Sequence, residues 1–192
     1  MSLIEIFAVV FGLTCVYLTV KQKILAWPTG LVMVILYIII FYQARLYSDM
    51  GLQVIYVFLQ FYGWYHWLYG GKKKDTLPVT RLSPLKVAIW FIVLWLGVLG
   101  LGYVMDNFTN ADFAYPDAFT TVLSLIAQWF LTRKILESWV CWITVDVVAI
   151  YIYFAKGLYL TTGLYAVFLI LATMGLLEWM KSRKAQPAPQ EA

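Results

Sequence analysis

The sequence predicts an all-α integral membrane protein with seven transmembrane helices, arranged as two parallel three-helix repeats around one linker helix. Three observations predict this: the composition, the spacing of the apolar segments, and an internal match of the chain with itself. Of the 192 residues 63% are hydrophobic and 12% charged, with a mean hydropathy of +0.80. A soluble domain has about half its residues apolar and about a quarter charged. No polar stretch is long enough for a separate soluble domain, so residues 1–181 form one membrane domain.

Seven apolar segments run over residues 3–20, 25–43, 50–69, 85–105, 118–132, 138–154 and 161–180, each near the roughly 20 residues needed to span a bilayer. The first lacks a basic leader and a small-residue cleavage site, and so reads as a span rather than a signal peptide. Pro28 falls in the first turn of the second segment, where its missing N–H is harmless. Residues 182–192, with Pro187 and Pro189 among polar residues, read as a disordered tail. Cys15 and Cys141 lie inside apolar segments without metal-ligand spacing or a case for a disulfide.

The net charge of +4 lies in the connections, which suits a membrane protein rather than a nucleic-acid binder. Lys21, Lys23, Lys72, Lys73, Lys74, Arg81, Lys86, Arg133, Lys134, Lys181, Arg183 and Lys184 all fall on one side if there are seven spans. The other side has Arg45 and Lys156, with Asp106, Asp112 and Asp117. The positive-inside rule then puts the N-terminus outside and the C-terminus in the cytoplasm.

Laid over itself at an offset of 112, the chain aligns Trp27 with Trp139, Tyr47 with Tyr159, Gly51 with Gly163, Gly63 with Gly175 and Trp67 with Trp179. Coincidence of rare residues is the informative part. Residues 3–69 form repeat one, 85–105 the linker helix, and 117–181 repeat two. The odd helix between them makes the repeats parallel, about a pseudo-two-fold axis along the membrane normal. Parallel repeats of this kind occur in transporters, with substrate held near the midplane at the repeat interface.

Two helical faces carry chemistry. Trp139, Trp142 and Asp146 stand at i, i+3 and i+7 on the sixth segment and share one face. Two indoles and an acid would stack a flat ring and answer a positive charge; the plainer reading of the indoles is as core residues or interface anchors. Asp146 is harder to dismiss, since an ionisable group at the centre of a spanning helix costs roughly 3 kcal/mol. Eight residues beyond Ser138, it lies about 12 Å into the bilayer, with no lysine or arginine at that depth. Such a carboxylate is protonated, reached by water, or completed by a cation. Gln53, Tyr56, Gln60, Trp64 and Trp67 form the second face, on the third segment. Its glutamines either join helices or line a path for a polar solute, with Gln128 and Tyr165 as further candidates. The lone histidine, His66, reads as an interfacial residue. No metal or cofactor is expected. An intramembrane hydrolase lacks its Ser–His or paired carboxylates, and a retinal-type receptor lacks a lysine in the last segment.

These stretches resemble the PnuC-type vitamin transporters. The resemblance is carried by Trp27-Pro28-Thr29-Gly30, Gly51-Leu52-Gln53-Val54-Ile55-Tyr56, Tyr62-Gly63-Trp64-Tyr65-His66-Trp67, Arg133-Lys134-Ile135-Leu136-Glu137-Ser138-Trp139, the stripe to Asp146, and Lys156-Gly157-Leu158-Tyr159-Leu160-Thr161. It covers nearly the whole chain. It implies a 3+1+3 fold like that of a full-length SWEET sugar transporter, in a bacterial inner membrane. It also implies facilitated diffusion of a dephosphorylated B vitamin, nicotinamide riboside first, trapped afterwards by a cytoplasmic kinase. Trimers are known in the family, so a homotrimer is an expectation here. The nicotinamide riboside carriers are expected to show Trp-x-x-Trp-x-x-x-Asn, and this chain has Asp146 at the last position. That departure keeps thiamine open as the substrate. A SWEET-type sugar carrier is the alternative by fold, and a vitamin-binding subunit of a larger importer a further one.

Overall fold

The structure is a computed structural model, and it describes residues 3–43, 47–71, 77–109, 113–155 and 157–185. These residues form seven α-helices: α1 (Leu3–Val20), α2 (Ala26–Gln43), α3 (Tyr47–Tyr69), α4 (Pro84–Phe108), α5 (Ala114–Thr132), α6 (Glu137–Ala155) and α7 (Tyr159–Ala185). Every expected segment is a helix, and most run a little further than their apolar cores. α5 starts at Ala114 because Pro116 sits in its first turn, where no N–H is needed. α7 continues to Ala185, which corrects the expected tail: residues 182–185 are helical. Arg183 and Lys184 favour that extension by facing the negative end of the helix dipole. The rest of the tail, residues 186–192, lies outside the described residues, as do Arg45, Lys72, Lys73, Lys74, Asp112 and Lys156.

Five of the helices, α1, α2, α4, α6 and α7, are long and apolar enough to cross a membrane. α3 and α5 have the length, at 23 and 19 residues, but carry Gln53, Gln60 and Gln128. On α3 the polar side chains turn inward and the apolar ones outward. Gln60 is buried, whereas Ile55, Phe58, Phe61 and Tyr65 are exposed. That is the arrangement a hydrocarbon solvent requires, because an amide facing lipid has no partner. Both cysteines are free.

The chain folds as two compact units. The first comprises the described parts of Met1–Val79, Thr132–Lys134 and Leu177–Ala192. Within it Trp27, at the start of α2, lies against Gly63 of α3, in space a side chain at 63 would occupy. Gly30 is closed in the same way by the amide of Gln60. The Cys15 thiol donates to the Ala26 carbonyl at 3.2 Å, tying α1 to the first turn of α2.

A tight corner forms where α1, α3 and α7 end and α2 begins. Trp67 meets Trp27 edge-on, with centroids 5.2 Å apart, and lies 5.9 Å from Trp179. The Trp179 indole N–H donates to the Thr19 carbonyl at 3.2 Å. Lys134 is the surprise. Its sequence position reads as a solvated loop charge, yet it is 6% exposed. Its Nζ sits 4.5 Å above the Trp67 ring and donates to Gln22 Oε1 at 3.2 Å. Ring and amide return only part of what desolvating the ammonium costs, so burial pushes its pKa down to about 8.

The second unit comprises Thr80–Leu131 and Ile135–Leu176. Its core is Leu94, Val98, Leu123, Ile126, Phe130 and Val145, from α4, α5 and α6. Trp139 of α6 is seated on Gly175 of α7, with three ring carbons 2.6 Å from where a methyl at 175 would stand. The segment before α4 is pinned to the start of α6. Thr80 bridges to Ile135 and accepts from the Leu136 N–H at 2.9 Å. Glu137 takes both the Arg81 guanidinium at 3.1 Å and the Leu82 N–H at 3.2 Å.

Two expectations follow from this packing. Gly63→Ala and Gly175→Ala force an indole off its seat, and each should destabilise the protein by about 1–3 kcal/mol. Gly51→Ala, where nothing lies within 4 Å, should cost nothing comparable; thermal melts in detergent compare the three. For Lys134, the folded-state pKa of about 8 lies below the ordinary 10.5. The penalty of burying the charge is therefore present below about pH 8 and fades as pH rises toward 10.5. Wild-type stability, measured relative to Lys134→Met, should climb across that window, with the Met variant the more stable at pH 7. A pH-independent difference would mean that the ammonium is not desolvated.

Candidate functional site

The ten residues singled out in the sequence divide five and five between the units. In the first unit all five lie on α3. Gln60 is 5% exposed and committed to Gly30, so its amide serves at least as a filler between α2 and α3. Gln53 is half-buried, and its carbonyl oxygen is wholly buried without a hydrogen-bond donor among the described residues. Tyr56 and Trp64 are half-buried. Trp67 is held between Trp27, Trp179 and the Lys134 ammonium, which leaves its ring no free face for a solute.

In the second unit, α6 carries three of the five. Trp139 is 2% exposed and its ring is taken up by Gly175. Trp142 is half-buried at the edge of the apolar core. Asp146 is the tenth of the nineteen residues of α6, at its middle, and is 4% exposed. Neither of the salt bridges among the described residues involves it, and no hydrogen bond reaches it there. A hydrophobic stretch holds this position because helix propensity and packing fix the backbone on both sides, with Val145 and Ala149 buried beside it. Gln128 of α5 is 7% exposed. Tyr165 of α7 is half-buried in a group of rings, 5.1 Å from Tyr153 and 5.9 Å from Phe168.

The stripe of two indoles and an acid thus separates by role: one indole packs helices, while the other and the carboxylate remain available. A buried carboxylate with no basic partner among the described residues is protonated, reached by water, or completed by a cation. Among the described residues no three His, Cys, Asp or Glu side chains gather as metal ligands. The packing role of Lys134 escaped the sequence reading, since a lysine in a short basic connection looks like any other. The one available signal was its match with Gln22 at the repeat offset.

The chain matches the family model described as Nicotinamide mononucleotide transporter over residues 2–181. It is 28% identical to the Nicotinamide riboside transporter PnuC of Escherichia coli, over 96% of this chain and 87% of that protein. To the Nicotinamide riboside transporter PnuC of Neisseria mucosa it is 30% identical, over 91% of this chain and 70% of that protein. The Riboflavin/roseoflavin transporter RibM of Streptomyces davaonensis is 23% identical, over 91% and 84%. Among solved structures, the crystal structure of the Vitamin B3 transporter PnuC superposes with a TM-score of 0.76 at 23% identity, over 94% of this chain and 82% of that one; this likeness shows the fold. A multi-pass helical membrane fold and a family match over nearly its whole length make this chain a member of the nicotinamide mononucleotide transporter family, a vitamin transporter and not an enzyme.

Proposed function

We propose that this protein takes up nicotinamide riboside by facilitated diffusion, and that Asp146 recognises the fixed positive charge of its pyridinium ring. The observation that carries the reading is a carboxylate at the middle of a spanning helix, 4% exposed and without a basic partner among the described residues. Relatives named as nicotinamide riboside transporters cover most of the chain. In this reading Trp142 supplies the stacking indole, because Trp139 is already seated on Gly175. Gln128 and Tyr165 offer polar contacts from the neighbouring helices of the same unit.

The departure of Asp146 from the asparagine expected in nicotinamide riboside carriers favours a second reading, thiamine, whose thiazolium is also a fixed cation. Riboflavin, named for one relative, is uncharged and would leave the carboxylate unanswered; the same holds for a sugar.

The architecture we propose is 3+1+3, with α1–α3 and α5–α7 as parallel repeats and α4 between them. It is supported by a contact that recurs at the repeat offset: Trp27 lies on Gly63, and Trp139 on Gly175. Rocking of the repeats would give alternating access without a coupled ion. The excess of basic connections favours an outside N-terminus and a cytoplasmic C-terminus. A kinase in the cytoplasm would then draw uptake inward by phosphorylating the vitamin. A homotrimer, as the resemblance implies, completes the reading.

Purified protein in liposomes should equilibrate labelled nicotinamide riboside, with labelled thiamine and riboflavin compared in parallel. Accumulation above the outside concentration under a proton or sodium gradient would refute facilitated diffusion. Asp146→Asn should weaken cation binding by about 1.5–3 kcal/mol, the worth of a charge-assisted hydrogen bond, while leaving the melting temperature no lower. Full affinity in the Asn variant would remove the ion-pair assignment. Trp142→Phe should cost about 1 kcal/mol in affinity, whereas Trp139→Phe should lower stability with little effect on binding.

A further inference from the structure

At the corner of the first unit, two residues touch their own counterparts at the repeat offset. Lys134 hydrogen-bonds Gln22 at 3.2 Å, and the two are 112 positions apart. Trp67 and Trp179, also 112 apart in the sequence, bring their rings to 5.9 Å. A two-fold rotation that exchanges two residues keeps them in contact only when both lie beside its axis, as in the self-complementary contact of a symmetric dimer. Both corner residues also adopt left-handed backbone, with φ of 53° at Gln22 and 49° at Lys134. Non-glycine residues take up this conformation at a cost, where surrounding contacts hold them. Off the axis, Lys21 pairs with Glu178 at 3.2 Å, and the Trp179 indole bonds the Thr19 carbonyl. Each of these contacts joins an element of α1–α3 to one from the second half of the chain.

We propose that this clasp is the inner gate of the transporter, parting about the axis in each cycle, and that the buried Lys134 ammonium keeps it from locking shut. The inference rests on the reading of two rocking repeats and a cytoplasmic face at this end. Rocking leaves contacts far from the axis free to slide, but those beside it must break for a path to open. An apolar side chain over Trp67 would seal the corner. The ammonium is desolvated on closing, a cost its ring and amide partners only partly return, and it regains water on opening. The exposed Lys21–Glu178 pair reports on the gate without forming its centre.

The test places spin labels at positions 21 and 178, in bilayer nanodiscs, and compares Lys134, Lys134→Met and Lys134→Arg. Wild type should show a short and a long distance. Lys134→Met should lose the long one and slow maximal transport by about tenfold, as expected when opening becomes rate-limiting, without raising KM. Lys134→Arg, which keeps the charge, should stay within about twofold of wild type. A single distance shared by wild type and the Met variant overturns the gate, whatever the substrate proves to be. An Arg variant as slow as the Met variant overturns the role of the charge. As a measurement that leaves Lys134 in place, cysteines at 21 and 178, with Cys15 and Cys141 replaced, are joined by a thiol-cleavable cross-linker. The joined protein should bind substrate but not transport it, and cleavage should restore transport; unchanged transport with the link complete refutes the gate. The unlinked protein is the control for function: if it carries none of the vitamins, the functional reading fails, while the distance measurement still judges the clasp.

Discussion

Hydrocarbon offers no hydrogen-bonding partner, and this constraint orders the molecule. Hydroxyls on the helices solve the problem locally: Thr14, Thr19, Thr144, Thr162 and Thr173 each donate to the carbonyl four residues back. Gln60 and Gln128 are turned inward instead, and Gln60 closes over Gly30. Against this background the unmatched groups stand out. The Gln53 carbonyl and the Asp146 carboxylate are polar, buried and unmet among the described residues. The Trp27 indole N–H and the Ser138 hydroxyl are buried without a partner there too; the carboxylate differs in being an ionisable group at the middle of a spanning helix.

A second theme is the seating of large rings on residues without a side chain. Trp27 on Gly63 and Trp139 on Gly175 bring backbones close and fill the space with one rigid body each. Dispersion and close packing hold membrane helices together where no hydrophobic drive exists between them. Where positions 112 apart differ, the difference is chemical. Gly30 corresponds to Trp142, Val34 to Asp146, and Gln60 to Ala172. In the first half these positions pack tightly; their counterparts in the proposed repeat include an indole and an acid.

Lys134 shows how a charge can be part of packing. It forms the roof over Trp67 while its neighbour Arg133 is exposed and reaches the Tyr62 hydroxyl at 3.3 Å. Adjacent residues of one basic connection therefore differ in environment, and only one of them behaves as the solvated charge that the positive-inside rule counts.

Much was determined by the sequence alone. Apolar segments of spanning length imposed seven helices, because a bilayer leaves the backbone few other ways to satisfy itself. The spacing of Gln53, Gln60 and Tyr56 on one face foretold which side of α3 turns inward. The repeat we propose, at an offset of 112, rests on tryptophan and glycine, which are rare enough to align by more than chance. What a linear pattern does not carry is which neighbour occupies a ring or a charge. Trp139 and Trp142 sit on the same stripe, and only the glycine opposite Trp139 commits it to packing. Trp67 belongs to the same face as Gln60, and only the approach of Trp179 and Lys134 encloses it. Periodicity reports the direction a side chain leaves its helix; whether space there is filled depends on residues distant in the chain, and tertiary structure alone decides it.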